Sequence, residues 1–338
     1  MGIHSFLVAA LAASVLAFPL EKKSTSVTEA SKAFEWFGVN ESGPEFGEKK
    51  FPGIKDKDYV WPKFDTIDKF IAKGMNTFRI NFLAERLIAN KQDGPMDPVY
   101  LKDLKDTVEY VTKKGAWAMI VPHNYGRYYE KVITDVAGFE AYWKTLAAVF
   151  KDNKKVIFDT NNEYHTMDQD LVVKLNQAAI NAIRGVGAKE QWINVEGNNW
   201  SGAWSWVKGS QNGATMGSLT DPSNKIVYQM HQYLDKDYSG THQDCVSETY
   251  GVEHLKDATD WLRKNKKVGL IGEFAGGDNP TCKKAVQNML EYMVKNNDVW
   301  KGALWWAAGP WWADYGFSME PGNGKAFAGY ADMISKYA

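Results

Sequence analysis

The stretch VIFDTNNEYHTM, residues 156–167, begins like a buried strand and continues as a run of polar and ionisable side chains. Val156, Ile157 and Phe158 are β-branched or aromatic residues, which strands favour. Amide, carboxylate and imidazole groups follow at once, and such groups are costly to bury unless they are paired. The stretch therefore predicts a buried strand with a cluster of polar side chains at its carboxyl end.

Seven other apolar runs recur along the chain, with ends roughly 40 residues apart. Together the eight runs span residues 34–40, 77–82, 117–123, 156–162, 192–197, 225–233, 268–274 and 302–308. Helical patterns fill the intervals, with predicted helix starts at Asp65, Asp97 and Asp168. Eight strand-then-helix units with apolar strands predict a single (β/α)₈ barrel. A doubly wound open sheet shares this alternation, but the chain has neither the GxGxxG nor the Walker loop of its nucleotide-binding forms.

Composition narrows the class of protein further. The 338 residues are 44% hydrophobic, and the formal net charge of -1 without a long basic run argues against a nucleic-acid partner. The apolar segment Phe6 to Ala17 is too short to span a bilayer and predicts a signal peptide over residues 1–17. A short propeptide over residues 18–23 would end at Lys22-Lys23, leaving residues 24–338 as the barrel domain. We therefore expect a secreted, extracellular protein with no membrane span.

The redox state of the two cysteines, Cys245 and Cys282, depends on that compartment. An oxidising environment makes a disulfide the default, and two free buried thiols are the alternative. Two sequons, at Asn40 and Asn199, permit glycosylation.

In a (β/α)₈ barrel the loops at the carboxyl ends of the strands form the chemical face. Those ends carry a concentration of polar and aromatic residues, namely Asn40, Arg79, His123, Asn124, Tyr125, Asn162, Glu163, His231, Gln232, Tyr233, Glu273, Trp305 and Trp306. A purely structural barrel has no need of so many ionisable groups at one face. The pattern predicts an active site there.

Two carboxylates dominate this set, Glu163 after the fourth strand and Glu273 at the end of the seventh. They would face each other across the barrel mouth, as glycoside hydrolysis requires. A separation of ~5 Å gives retention of configuration and ~6.5–9.5 Å gives inversion, and the sequence leaves this open. Arg79 beside Glu273 would keep that carboxylate ionised, so Glu163 would hold the proton.

A metal site formed by His123, His231 and Glu163 is the alternative use of the same residues. The chain has no HExxH motif and no H-x-H pair on a strand, so we expect no catalytic metal.

Four tryptophans fall within eight residues of the segment GALWWAAGPWWADYGF, residues 302–317. Neighbouring strand residues point to opposite faces, so one of Trp305 and Trp306 should face the barrel mouth. Aromatic faces stack on sugar rings, which makes Trp311 and Trp312 candidates for a platform at the rim. After the fifth strand, further candidates for the same wall are Trp200, Trp204 and Trp206.

The ordered motifs resemble glycoside hydrolase family 5 of clan A, most closely its secreted fungal endo-β-1,4-glucanases. The resemblance runs from FGVNESGPEFG (37–47) through NEY (162–164) and IGEFAGG (271–277) to LWWAAGPWW (304–312). It implies a retaining enzyme without a cofactor, with Glu163 as acid/base and Glu273 as nucleophile. It also implies a substrate-binding shell made of Arg79, His123, Asn162, His231, Tyr233 and Trp306, with Trp305 as the alternative to Trp306.

The resemblance further implies that Cys245 and Cys282 form a disulfide near the active site. The expected partner is a β-1,4-glucan, soluble or amorphous because the chain carries no cellulose-binding module, and the expected state is a monomer. Because the family includes mannanases, an endo-β-1,4-mannanase is the first alternative. A barrel that binds carbohydrate without cleaving it is the second.

Overall fold

Eight parallel strands of the computed structural model close into a barrel, each strand paired with its neighbours in sequence and β1 paired with β8. The strands are β1 (Trp36–Glu41), β2 (Thr77–Phe82), β3 (Trp117–Pro122), β4 (Val156–Asp159), β5 (Trp192–Glu196), β6 (Ile226–His231), β7 (Gly269–Phe274) and β8 (Trp300–Ala308). The closure confirms the predicted (β/α)₈ barrel and makes the open doubly wound sheet wrong. A small antiparallel hairpin of Arg127–Tyr128 and Lys131–Val132 follows β3.

The structure describes residues 1, 2 and 33–338. The predicted signal peptide and propeptide therefore lie almost entirely outside the described residues. Within the described part of the chain, no helix combines the length and the apolar character needed to cross a membrane.

Helices follow every strand, although they differ greatly in length. They are α1 (Phe64–Ala72), α2 (Ala84–Leu87), α3 (Pro98–Lys113), α4 (Val136–Phe150), α5 (Gln169–Gly185), α6 (Asn212–Thr215), α7 (Tyr250–Lys264), α8 (Pro280–Lys295) and α9 (Lys325–Ser335). Between β5 and β6 the chain forms only the one-turn α6 and the 3₁₀ turns Ala203–Ser205 and Met216–Ser218. The connection from β5 to β6 therefore contains no long helix.

Two of the three predicted helix N-caps are present in the structure. Asp97 accepts hydrogen bonds from the amides of Val99 and Tyr100, and Asp168 accepts one from Leu171. The prediction for Asp65 is wrong, because α1 begins one residue earlier and Asp65 lies in its first turn. A carboxylate in that position favours the helix dipole without capping an amide.

The apolar residues of the strands form two layers. Inside the barrel, a small cluster packs across the strands: Trp36, Met119, Ile157, Val227, Leu270 and Leu304. The residues that alternate with these along the strands, such as Phe37 and Val39, belong to the larger core between the strands and the helices. Four residues beyond Trp36 on β1, Asn40 is in register with Arg79 of β2. The apolar cluster thus ends where the polar face begins.

The cysteine prediction is confirmed. Cys245, in the loop after β6, forms a disulfide with Cys282 in the first turn of α8, with a Cα–Cα distance of 5.2 Å. The alternative of two free thiols is therefore wrong.

The two sequons differ in accessibility. Asn40 is fully buried, and its amide donates to the carbonyl oxygens of Gly272 and Trp305, so the folded protein cannot carry a glycan there. Asn199 is only partly buried, and glycosylation at that position stays a prediction.

Candidate active site

Glu163 and Glu273 meet at the barrel mouth on either side of one imidazole. His231 Nδ1 lies 2.6 Å from Glu163 Oε1 and 3.5 Å from Glu273 Oε2. One oxygen of each carboxyl group and a ring nitrogen of His231 all lie within 4.8 Å of one another. This spacing matches the ~5 Å of retaining glycosidases and falls short of the ~6.5 Å at which inverting enzymes begin.

Arg79 organises this end of the barrel from beneath. Its fully buried guanidinium donates to the side chains of Asn40, Asn81, Asp159, Asn162, Glu196 and Glu273. Three of these acceptors are carboxylates, and each lies 2.9 Å from a guanidinium nitrogen. Only a planar group with five donors can serve so many acceptors at once, which explains an arginine here and not a lysine.

Glu273 has the contacts of an anion. Its Oε1 accepts from Arg79 Nη1 at 2.9 Å, and its Oε2 accepts from the Tyr233 hydroxyl at 2.7 Å. Burial raises the pKa of Glu273 above its ordinary value and the nearby Glu163 carboxyl adds to that rise, while Arg79 and the Tyr233 hydroxyl act in the opposite direction. The ionised form is therefore the one that these neighbours stabilise.

Glu163 has the contacts of an acid. Burial raises the pKa of its carboxyl group to about 8, with Arg79 only partly opposing the shift. Burial also lowers the pKa of His231 to about 4, so the imidazole is neutral. A hydrogen bond of 2.6 Å therefore joins Nδ1 of the neutral imidazole to Oε1 of the Glu163 carboxyl group.

His123 and Asn162 line the cleft beside this pair. Asn162 Oδ1 accepts from Arg79 Nη2 at 2.8 Å, which leaves its amide nitrogen 3.4 Å from His123 Nε2. The Tyr125 hydroxyl lies 3.0 Å from the same ring nitrogen of His123. Arg79 thus fixes which end of the Asn162 amide faces the cleft.

Trp306, and not Trp305, faces the barrel mouth. Trp306 stacks on the His123 ring with centroids 5.2 Å apart and planes 18° apart. Trp305 is fully buried, donates from Nε1 to the carbonyl oxygen of Phe317 and packs on Tyr330 under the helices. The alternative that gave Trp305 the place in the cleft is therefore wrong.

The other predicted aromatics divide between rim and core. Trp312 packs edge-on against Trp306 at 5.7 Å, and Trp311 is exposed nearby. Trp200 is 45% exposed, whereas Trp206 is fully buried, so the prediction that Trp206 extends the cleft wall is wrong. Trp206 directly follows the 3₁₀ turn Ala203–Ser205 and packs edge-on against Tyr228 and Trp261 in the core.

Comparison with known proteins identifies the family of the chain. The family model described as cellulase (glycosyl hydrolase family 5) matches residues 27–309 of the chain. The chain belongs to glycoside hydrolase family 5. Endo-beta-1,4-glucanase B of Aspergillus niger is 54% identical over 336 residues, which is 98% of each chain. Endo-beta-1,4-glucanase A of Emericella nidulans is 53% identical over 92% of this chain and 94% of that protein.

Solved structures of family 5 enzymes have the same fold. XacCel5A, determined in complex with cellopentaose, superposes with a TM-score of 0.87, is 40% identical and covers 90% of this chain and 100% of its own. Endo-beta-1,4-glucanase Xac0029 from Xanthomonas axonopodis pv. citri superposes with a TM-score of 0.85 at 37% identity, covering 90% and 99%. The protein is thus a glycoside hydrolase of this family.

Sequence reasoning missed a second layer of this family 5 site. Asp159 is the last residue of β4, Glu196 is the last residue of β5, and Gln229 lies two residues before the end of β6. Gln229 Nε2 donates to both carboxylates, 2.8 Å from Asp159 Oδ2. The strand-end rule that identified Glu163 and Glu273 would also have identified Glu196, because it is the last residue of its strand.

Within residues 33–338, two groups of side chains have the spacing of metal ligands: Glu163 with His231 and Glu273, and Asp235 with Asp237 and His242. In the first group Arg79 and Tyr233 already bind Glu273, and Glu163 already bonds His231. His123 belongs to neither group, so the alternative site of His123, His231 and Glu163 is not assembled.

Proposed function

We propose that this family 5 hydrolase is an endo-β-1,4-glucanase that cleaves internal glucosidic bonds with retention of configuration. The observation that carries the proposal is the spacing of Glu163 and Glu273, whose carboxyl oxygens approach within 4.8 Å. That gap admits a sugar carbon bonded to one carboxylate and leaves no room for an intact glycoside together with a nucleophilic water between the two.

In the first step, the Glu273 carboxylate attacks the anomeric carbon and the glycosidic bond breaks. Glu163 gives its proton to the departing oxygen, so the leaving sugar departs as an alcohol. In the second step, Glu163, now ionised, removes a proton from water, and that water displaces Glu273 from the anomeric carbon. Two inversions at one carbon retain its configuration.

The shell residues support both steps. The Asn162 amide, held by Arg79, points its donor nitrogen toward the cleft, where it would bind the hydroxyl next to the reacting carbon. Trp306, backed by His123, offers an aromatic face to the sugar ring. Tyr233 and Arg79 hold Glu273 as an aimed carboxylate, so little reorganisation is needed when it attacks.

A glucan substrate is supported by the names of the relatives, which are endo-beta-1,4-glucanases, and by the cellopentaose bound to XacCel5A. Mannan differs from glucan in the configuration at the second carbon, next to the reacting one. The Asn162 amide would contact the substituent at that carbon, so the enzyme should discriminate there.

The test is ¹H NMR of the product freshly released from a cello-oligosaccharide. We expect the β-anomer first, with the α-anomer appearing later by mutarotation, and no product from Glu273→Ala. Early α-anomer would instead mean an inverting enzyme and would remove the nucleophile role from Glu273. Faster turnover of soluble mannan than of soluble glucan would keep the mechanism and change the substrate.

We also propose that the enzyme is secreted, with residues 1–17 removed as a signal peptide and 18–23 as a propeptide. The single disulfide between Cys245 and Cys282 suits an oxidising compartment. N-terminal sequencing of enzyme from culture medium tests this, with residue 18 or 24 expected first. Chelators should leave activity unchanged, because no step of the mechanism uses a metal.

A further inference from the structure

Glu196 is a buried carboxylate that bonds both to the backbone of Glu163 and to Arg79, the partner of Glu273. Its Oε2 accepts from the backbone amide of Glu163 at 2.8 Å, and its Oε1 accepts from Arg79 Nη2 at 2.9 Å. Arg79 in turn binds Glu273. Glu196 is fully buried at the carboxyl end of β5 and lies beneath the cleft, with His231 Nε2 3.8 Å from its Oε1, so it acts on the reaction through the residues around it.

The backbone of Glu163 needs such an anchor. Its φ of 48° lies in the left-handed region, which residues other than glycine rarely adopt. The preceding amide, that of Asn162, donates to the carbonyl oxygen of Pro122 at the end of β3. The two anchors hold residues 162 and 163 between β3 and β5, and Glu196 supplies the anchor on the β5 side.

We infer that Glu196 is a positioning residue for the general acid, holding Glu163 in its left-handed conformation so that its carboxyl group faces His231 and the leaving oxygen. This inference rests on the proposed function, since it assigns Glu163 the acid role. It predicts that loss of the Glu196 contact weakens proton donation specifically. Nucleophilic attack by Glu273 should be largely spared.

Glu196→Gln separates the two contacts. Arg79 Nη2 and Gln229 Nε2 both donate to the same oxygen of Glu196, so the amide oxygen of the variant is expected to face them. The amide nitrogen then faces the backbone N–H of Glu163, and two donors cannot bond. The substitution preserves shape and the Arg79 contact while removing the anchor of Glu163.

The readout compares two substrates that differ in their need for an acid. In cellotetraose the leaving group is a hydroxyl oxygen of the neighbouring sugar, which requires protonation by Glu163. In contrast, 2,4-dinitrophenyl β-cellobioside releases a phenolate, which leaves without protonation. For both substrates kcat/KM reports the steps up to glycosylation of Glu273. We expect Glu196→Gln to lower kcat/KM about 10- to 100-fold for cellotetraose and less than about 3-fold for the aryl glycoside.

Asp221→Asn is the matched control. Asp221 is also a buried carboxylate in an ion pair, with Arg184 Nε at 2.7 Å, and it accepts from the amides of Ser223 and Lys225. It precedes β6, at the opposite end of the barrel from the cleft. Its substitution should lower the melting temperature and leave the ratio of the two kcat/KM values at the wild-type value.

Equal losses on the two substrates, or no loss in a folded Glu196→Gln protein, would overturn the inference. If that variant does not fold, Glu196→Asp decides, because it keeps the charge but shortens the reach to Glu163 and should show the same asymmetry. A wild-type enzyme that cleaves neither substrate would overturn the proposed function as well. These failures are therefore distinguishable from one another.

Discussion

Removing the Tyr233 hydroxyl should move the acid side of the pH–rate profile upward. Tyr233 is the donor to Glu273 Oε2, at 2.7 Å, while Arg79 binds the other oxygen of the same carboxylate. His231 Nδ1 is 3.5 Å from Oε2 and is already hydrogen-bonded to Glu163 Oε1 at 2.6 Å, so it does not replace the lost donor. Tyr233→Phe therefore leaves half of this buried carboxylate without a hydrogen bond.

The size of the effect follows from the value of that bond. A hydrogen bond to a charged group contributes about 1.5–3 kcal/mol, and about 1.4 kcal/mol corresponds to one pKa unit. The bond favours the ionised form, so its loss raises the pKa of Glu273 by about one to two units. Because Glu273 must be ionised to attack, the acid limb of kcat/KM should move up by the same amount.

The assay is kcat/KM for a soluble cello-oligosaccharide across the pH range, with melting temperature as the check on folding. Tyr142→Phe is the control, because the buried Tyr142 hydroxyl has no hydrogen-bond partner among the described residues and lies in the helix layer. That control should keep the wild-type profile. An acid limb that stays within about 0.3 unit of wild type in a folded Tyr233→Phe enzyme would refute the role given to this hydroxyl.

Three further results are expected. Above pH about 8, kcat/KM should fall tenfold per unit, because burial raises the pKa of the Glu163 acid to about 8, and Glu163→Ala should lack this limb. Trp306→Ala should lower kcat/KM by about tenfold without changing the stability of the fold. Trp305→Phe should instead lower the free energy of unfolding by about 1–3 kcal/mol and leave kcat/KM of the folded protein unchanged. Replacing Cys245 and Cys282 by serine should cost about 2–4 kcal/mol of unfolding free energy in denaturant titrations, because the bond closes a loop of sequence separation 37.

The barrel was predictable because each strand is a short apolar run bounded by polar residues. The run at 156–162 shows how much of a strand such a pattern can predict. The strand itself ends at Asp159, because the following residues leave the sheet to reach across the mouth. Apolar patterning identifies the strand but cannot say where backbone pairing stops, since Thr160 and Asn161 are as buried as the strand.

The separation of the catalytic pair was not predictable. It depends on barrel radius and on the left-handed backbone of Glu163, and no local pattern marks that conformation at a glutamate. The hydrogen bond between Glu196 and the Glu163 amide was unpredictable for the same reason, because it joins the end of β5 to the loop that follows β4. Sequence identified Glu163 as a candidate, but only the register of the strands shows what holds it.

The charge balance beneath the cleft favours different protonation states for Glu163 and Glu273, the two proposed catalytic residues. Four carboxyl groups, Asp159, Glu163, Glu196 and Glu273, surround a single guanidinium, and the neutral His231 adds no compensating charge. Burial raises the pKa of Glu163, Glu196 and Glu273, and a single guanidinium cannot compensate all of their charges. Arg79 bonds directly to Asp159, Glu196 and Glu273 and not to Glu163. The lack of that bond, with a pKa that burial raises to about 8, favours the protonated form of Glu163 that its proposed role as the acid requires.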